Sequence, residues 1–223
     1  MIKLASMTWP YAKYSFERAL EGIAEARFRY VSIRLPHERQ PVFNDAEPGE
    51  AKRIRNLLEQ YGLKPVTLIS TDALNPKQPL DAAQRRMDFA VELGVEELLS
   101  LGTTSYRRFP DEPLDDAELE ALNEAFADKY RLVGAEAEKR GLIVSLKPHT
   151  GNTAAAKELI ETLQRIGSPA VKASYDPGNV QFYEGIDTAE DLPLIADQLV
   201  SLVAKDHKGK RADRVFPIPG EGD

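Results

Sequence analysis

The chain has no cysteine, only three histidines and a single tryptophan among its 223 residues. Because cysteine is absent, disulfide bonds and thiolate metal sites are excluded. No apolar run approaches the roughly 18 residues that a membrane-spanning helix needs. The N-terminal residues become polar too soon for a signal peptide. These absences together predict a cytoplasmic protein that does not bind a membrane.

The chain also lacks any basic tract, and its net charge is −7. An acidic domain repels phosphate backbones, so nucleic acid is not expected as a partner. The apolar fraction of 42% and the charged fraction of 29% are ordinary for a globular protein. The length predicts one domain over residues 1–223.

Short apolar runs alternate with longer stretches in which apolar residues recur every three or four positions. Leu119, Leu122 and Phe126 show this spacing, which is typical of one face of a helix. The apolar runs predict seven strands, at 2–8, 30–35, 64–70, 95–102, 142–147, 171–176 and 199–205. Their starts lie roughly 28 to 35 residues apart, with one longer gap, which is the repeat of a βα unit.

Residues that start and stop helices agree with this alternation. Four glycines stand shortly before predicted strands and are expected to end the preceding helices: Gly62, Gly94, Gly141 and Gly167. Asp45, Asp115 and Thr188 are predicted to cap helix N-termini.

The alternation predicts an α/β fold, namely a (β/α)8 TIM barrel whose last βα unit is missing from this chain. An open doubly wound sheet is the alternative that periodicity leaves open. The sequence has neither GxGxxG nor GxxxxGK[ST], the usual nucleotide-binding loops of open sheets. In a parallel α/β protein the carboxyl ends of the strands meet at one face, where sites form.

Polar residues accumulate where the predicted strands end. All three histidines, His37, His149 and His207, follow apolar runs, and another run ends in Asp176-Pro-Gly-Asn179. Because these residues would converge on one face, they predict an enzyme site. The alternative for the Asp-Pro-Gly-Asn segment is a plain turn.

Two lysines also end predicted strands. Lys147 closes the fifth strand and Lys205 the seventh. Lysine is rarely buried without a partner, so Lys147 is predicted to pair with Asp176 on the adjacent strand. The alternative is that both lysines extend to solvent.

Taken together, these segments resemble the xylose isomerase-like TIM-barrel superfamily of sugar isomerases and epimerases, which also contains the endonuclease IV type of abasic-site nuclease. The resemblance covers nearly the whole chain, and its most specific pieces are 142–149, 176–179, 203–206 and 219–222. It implies proton transfer next to the carbonyl of a small carbohydrate, one divalent metal at the barrel mouth, and a homodimer.

The family's metal ligands are a glutamate ending strand five, an aspartate ending strand six, a histidine ending strand seven and a glutamate ending strand eight. Asp176 matches the aspartate. Lys147 stands at the first glutamate position and does not ligate a metal while it is charged. Val203 stands at the histidine position, and the second glutamate would lie beyond Asp223.

Two kinds of site remain open. In one, Asp176, His149 and His207 form a rearranged set of ligands for Mn, Zn or Mg. In the other, the site is metal-free and Lys147 neutralises Asp176 while it holds a substrate oxygen. A base or a Schiff-base nucleophile is a further role for this lysine.

The resemblance and the strand ends together give the candidate site residues. The predicted catalytic residues are Lys147, Asp176, His149 and Lys205. The predicted substrate-binding residues are Trp9, His37, Asn179, Asp206 and His207. Trp9 could stack on a sugar ring, or it could only pack at the barrel mouth. His37 could contact substrate hydroxyls or lie in a solvated loop.

The function expected is therefore that of an isomerase or epimerase acting on a small carbohydrate or keto-sugar. A lyase or hydrolase of an oxidised sugar is one alternative, and a non-catalytic carbohydrate-binding relative that has lost its metal is another. Polar groups at four strand ends argue against complete loss of the site, because buried charges cost stability. Abasic-site nuclease activity is not expected, because three histidines and a net charge of −7 do not supply its dense ligand cluster.

Overall fold

A computed structural model describes residues 2–34 and 36–223 of the chain. These residues form two compact units, which are described separately. The first unit consists of Met1–Leu99 and Glu136–Ile143, and the second of Ser100–Ala135 and Val144–Asp223. The expectation of one domain over the whole chain stays a prediction.

The first unit contains parallel strands that alternate with helices. The strands are β1 (Ala5–Met7), β2 (Tyr30–Ile33), β3 (Lys64–Ile69) and β4 (Glu97–Leu101), and the helices are α1 (Phe16–Glu25), α2 (Glu50–Gln60) and α3 (Leu80–Leu93). Each strand pairs in parallel with the next one along the chain. The predicted strand end at Leu35 lies outside the described residues.

The second unit begins at the end of β4 and includes a short antiparallel hairpin, Tyr106–Arg108 with Glu112–Pro113. Three helix–strand repeats follow: α4 (Asp116–Lys139), β5 (Ile143–Lys147), α5 (Ala156–Ile166), β6 (Val171–Tyr175), α6 (Pro177–Glu184), α7 (Thr188–Ile195) and β7 (Leu199–Leu202). Strand β6 pairs in parallel with both β5 and β7. None of the described helices is long and apolar enough to cross a membrane.

The predicted α/β alternation is confirmed, and so are the predicted helix-ending glycines, which all have φ between +66° and +84°. This left-handed conformation is easy for glycine and strained for residues with a Cβ. The segment after β4 contains the hairpin, which the sequence pattern does not predict. The Asp-Pro-Gly-Asn segment also differs from a plain turn, because Pro177 is the first residue of α6.

One of the three predicted N-caps is confirmed. Asp115 accepts a hydrogen bond from the Glu118 backbone amide at 2.9 Å, at the start of α4. The Thr188 prediction is wrong by one residue, because the Asp187 side chain caps α7 instead. The Asp45 prediction is also wrong, because Gly49 precedes α2 and Asp45 binds a buried arginine.

That arginine, Arg86 on α3, joins two loops of the first unit. Its guanidinium makes two parallel hydrogen bonds to Asp72, both 2.9 Å long, and a third to Asp45 at 2.8 Å. The guanidinium also lies 5.2 Å from the centre of the Phe43 ring. Burial lowers the pKa of Arg86, but the hydrogen bonds and charges of both aspartates outweigh it and raise that pKa above its ordinary value.

We predict that Arg86→Met lowers the free energy of unfolding by about 3 kcal/mol, because it leaves Asp45 partly buried without a cation. Arg85→Met is the matched control, since Arg85 pairs with the exposed Asp81 and the substitution should cost a small fraction of that value. Urea unfolding measures both variants. Equal losses in the two variants would contradict a structural role for the buried guanidinium.

Candidate functional site

An ion pair joins the ends of the adjacent strands β5 and β6 in the second unit. The Lys147 Nζ donates to Asp176 Oδ2 at 2.6 Å. The two side chains are 14% and 2% exposed, so both charges are largely removed from water. The lysine and the aspartate therefore meet where the strand-end pattern predicts a site, and neither extends freely to solvent.

The second oxygen of Asp176 determines where α6 begins. Asp176 Oδ1 accepts a hydrogen bond from the Asn179 backbone amide at 2.9 Å, so the aspartate is the N-cap of this helix. Pro177 follows at the first helical position, where its missing amide hydrogen has no effect. Gly178 allows close packing, since a Cβ there would lie 2.9 Å from the Lys205 carbonyl oxygen.

The buried Asn179 side chain links this helix to the segments after β5 and β7. Its Nδ2 donates to the Pro148 carbonyl at 2.7 Å, and its Oδ1 accepts from Lys205 Nζ at 2.6 Å. Lys147 Nζ donates to the same Pro148 carbonyl at 3.3 Å. Lys147, Asp176, Asn179 and Lys205 thus form one hydrogen-bonded group, called the lysine–aspartate cluster below.

Lys205 differs from Lys147 in its surroundings. Its ammonium nitrogen lies 4.2 Å from the centre of the Phe216 ring, a cation–π contact. Burial lowers the pKa of Lys205; the charge of Asp176 opposes this change and the charge of Lys147 adds to it. The immediate partners of this ammonium group are thus an amide oxygen and an aromatic face.

His149 forms a pair with Tyr183, one turn after Asn179 on α6. The Tyr183 hydroxyl and His149 Nε2 are 2.8 Å apart, and the ring centres are 4.3 Å apart. Burial, followed by the charges of Lys147 and Lys205, lowers the pKa of His149 to about 4, although Asp176 acts in the opposite direction. Burial raises the pKa of Tyr183. Both members of this pair are therefore neutral near pH 7.

Aromatic rings surround this pair within the second unit. The ring centre of Phe109 lies 4.9 Å from that of Tyr183 and 5.3 Å from that of Phe182. Phe216 lies 5.2 Å from Phe182. The polar cluster is thus bordered by apolar surface, which strengthens electrostatic interactions beside it.

His207 and Asp206, which were predicted to bind substrate, make contacts with the C-terminal segment. His207 is 1% exposed, and its Nε2–H donates to the Asp213 carbonyl at 2.7 Å. Asp206 Oδ2 accepts hydrogen bonds from the backbone amides of Gly220 at 2.6 Å and Gly222 at 3.0 Å. Substrate binding by these two residues stays a prediction.

Trp9 and His37 lie in the first unit. The Arg34 guanidinium lies 3.3 Å from the centre of the Trp9 ring and covers one of its faces. His37 is buried, and its Nδ1 lies 3.1 Å from the Tyr14 carbonyl. Among the described residues its buried Nε2 has no hydrogen-bond partner. Their roles in substrate binding stay predictions.

The donor atoms present do not fit a divalent cation. In residues 2–34 and 36–223 no three His, Asp or Glu side chains are grouped so that they could hold a metal ion. Of the three predicted ligands, Asp176 binds Lys147, His149 Nε2 binds Tyr183 and His207 Nε2 donates to a carbonyl. The ammonium group of Lys147 occupies the side of the carboxylate at which a cation would bind.

Tyr183 and Phe216 are not among the site residues predicted from the sequence. A signal for Tyr183 was present, because it lies four residues after Asn179, and residues at that spacing share one face of a helix. The signal depends on recognising α6 as a helix. No comparable pattern marks Phe216, which reaches Lys205 from an irregular segment.

The comparisons with known proteins agree with this architecture. A family model described as a xylose isomerase-like TIM barrel matches residues 20–223. A search of curated protein sequences found no match.

Three solved structures illustrate the likeness. The 3-keto-D-glucoside 4-epimerase from E. coli has a TM-score of 0.71 at 14% identity, covering 100% of this chain and 83% of that chain. The D-allulose 3-epimerase from Methylomonas sp. has a TM-score of 0.68 at 16% identity, with coverages of 90% and 71%. The probable 3-DHS dehydratase from Bacillus anthracis has a TM-score of 0.68 at 12% identity, with coverages of 96% and 76%.

At these identities the structural likeness shows the fold alone. The family match covers most of the chain, however, and the predicted resemblance and the predicted barrel fold are both confirmed. The chain belongs to the xylose isomerase-like TIM-barrel family.

Proposed function

We propose that the chain is an isomerase or epimerase that moves a proton next to the carbonyl of a small carbohydrate or keto-sugar. The observation that carries this proposal is the lysine–aspartate cluster at the ends of β5 and β6. Two solved structures of similar fold are sugar epimerases by name, which supports the reaction class. The homodimer and the cytoplasmic location stay predictions.

Lys147 supplies the charge that this chemistry needs. Removing a proton next to a carbonyl places negative charge on the carbonyl oxygen, and a fixed cation beside that oxygen stabilises the transition state. Asp176 holds the Lys147 ammonium at 2.6 Å, so the charge is already in position before substrate binds. Because both side chains are largely buried, water weakens the interaction little.

The pair of His149 and Tyr183 is the proposed proton carrier. A neutral imidazole accepts a proton, and the hydroxyl group bonded to it can pass one on. The pair lies next to the cluster, and burial, followed by the charges of Lys147 and Lys205, keeps the imidazole neutral. Asn179 and Tyr183 lie one turn apart on α6, so this helix positions both the cluster and the carrier.

Elimination is the second candidate, and one comparison favours it. One solved structure of similar fold is a probable dehydratase by name, which supports loss of water as a reaction class. Elimination next to a carbonyl begins with the same proton removal and differs only in the departure of a neighbouring oxygen. The same cluster could therefore serve a lyase, and the two reactions are separated by their products.

We predict that the protein exchanges the hydrogen next to the carbonyl for deuterium when ketoses and keto-sugars are incubated with it in D2O. Lys147→Met should slow this exchange about a hundredfold, because the charge that stabilises the oxyanion is lost. Lys157→Met, which removes an exposed lysine on α5, is the matched control and should exchange at the wild-type rate. Mass spectrometry of the recovered sugars measures the exchange.

Stability is measured in parallel, because Lys147→Met leaves Asp176 buried without a cation. The double variant Lys147→Met/Asp176→Asn restores neutrality and keeps an N-cap, so it should unfold at a higher temperature than Lys147→Met alone. If the double variant is folded and still exchanges at the wild-type rate, the proposed role of the cluster is wrong. Sugar binding without exchange would favour the non-catalytic relative, and loss of water would favour the lyase.

We also predict that elemental analysis of the purified protein finds far less than one equivalent of Mn, Zn or Mg, because Lys147 occupies the cation-binding side of Asp176. Asp176→Asn should leave the metal content unchanged. One equivalent of a divalent metal that is lost in Asp176→Asn, and also in His149→Ala and His207→Ala, would instead establish the rearranged set of ligands.

A further inference from the structure

We infer that this site takes carbohydrates bearing a negatively charged group, a carboxylate or a phosphate, and that Lys205 binds that group. The inference rests on the proposed function, because it assigns a substrate class to the same site. Three features support it: the number of charges in the lysine–aspartate cluster, the contacts of Lys205 and the neutral state of His149.

The cluster contains one carboxylate and two ammonium groups. Asp176 uses Oδ2 for Lys147, at 2.6 Å, and Oδ1 for the Asn179 backbone amide, at 2.9 Å. Both oxygens of the Asp176 carboxylate therefore have hydrogen-bond partners other than Lys205. One positive charge of the cluster is left without a direct counter-ion.

The contacts of the partly buried Lys205 ammonium group are a neutral acceptor and an aromatic face. An ammonium group has three N–H donors. Within the described residues, Lys205 Nζ donates one hydrogen bond, to Asn179 Oδ1 at 2.6 Å, and faces the Phe216 ring at 4.2 Å. The only carboxylate there that acts on its charge is Asp176, which already pairs with Lys147. A partly buried cation without a counter-ion is costly, and an anionic ligand would remove that cost.

His149 lies in the charge environment of the same two lysines. Burial is the largest cause that lowers the pKa of His149, and the charges of Lys147 and Lys205 lower it further. The charge of Asp176 raises that pKa but does not offset them. The whole chain nevertheless has a net charge of −7. Positive potential in a chain of this net charge is a local feature of the cluster, which would attract an anion specifically there.

Charge-assisted hydrogen bonds are the strong ones, so the anionic group should dominate recognition. A neutral sugar would offer Lys205 only hydroxyl oxygens and leave the surplus charge in place. A sugar acid or a sugar phosphate would supply both the charge and two or more acceptor oxygens for the free N–H donors. Binding measurements with one carboxylate probe and one phosphate probe distinguish these two anionic groups.

Titration calorimetry at constant ionic strength tests the inference with three probes: D-gluconate, D-glucose 6-phosphate and the neutral D-sorbitol. At least one of the two anions should bind about tenfold or more tightly than D-sorbitol, the gain expected for a hydrogen bond to a charged group. Preference for D-gluconate would identify a carboxylate site, and preference for the phosphate a phosphate site.

Three variants assign the preference to Lys205. Lys205→Met should bind the preferred anion no more tightly than D-sorbitol, and Lys205→Arg should retain most of the preference because it keeps the charge. Lys208→Met, which removes an exposed lysine three residues further on, is the control and should bind like the wild type. Without ligand, Lys205→Met should unfold close to the wild-type temperature, because relief of a partly buried cation offsets the loss of the donor to the buried Asn179 Oδ1.

The inference is overturned if both anions bind no more tightly than D-sorbitol, if none of the three probes binds, or if the preference survives in Lys205→Met. Should Lys205→Met fail to fold, Lys205→Gln, which keeps an N–H donor without the charge, decides in the same way. The proposed function is tested separately, by the deuterium-exchange experiment. Deuterium exchange with neutral ketoses alone would retain the function and overturn the inference, whereas anion binding without exchange would do the reverse.

Discussion

The second unit depends on the way Asp176 divides its two oxygens. One oxygen caps α6 and the other binds Lys147, and the side chain is 2% exposed. Because the cap fixes the first turn of α6 at the end of β6, it also fixes the positions of Asn179 and Tyr183 on one face of that helix. Asn179 then reaches Pro148 and Lys205, while Tyr183 reaches His149. A single carboxylate thus determines the geometry of the ion pair, the amide bridge and the histidine–tyrosine pair.

The strands and the meeting of Lys147 with Asp176 were predictable, because a parallel sheet brings neighbouring strand ends together whatever the loops do. The helical nature of α6 was harder to predict. Aspartate, proline and glycine in succession are favoured both in turns and at helix starts, and only the later residues decide between the two. If this segment is read as a plain turn, nothing in the sequence places Tyr183 at the site. The contact of Phe216 with Lys205 could not be predicted from the sequence, because an irregular segment has no periodicity from which the direction of its side chains follows.

His207 and Asp206 show that a polar residue after a strand also makes structural contacts, so its position alone does not define a site. Their side chains turn towards the C-terminal segment: His207 donates to the Asp213 carbonyl, and Asp206 accepts from Gly220 and Gly222. The close approach of this segment explains its glycines, since a Cβ on Gly222 would lie 2.6 Å from Asp206 Cγ. Asp206, Gly220 and Gly222 belong to segments that carry the family resemblance. Their contacts hold the C-terminal segment against the end of the seventh strand.

The lysine at position 147 changes what the site requires. A glutamate there, as the family pattern has it, would place a second carboxylate beside Asp176, and two adjacent carboxylates are both ionised only when a cation offsets their repulsion. Lysine supplies that positive charge covalently and neutralises Asp176 without any bound ion. The remaining lysine, Lys205, is then in surplus, and His149 beside it stays neutral. The same barrel position that in a metal-dependent relative attracts a cation should therefore, in this chain, attract the negative charge of its substrate.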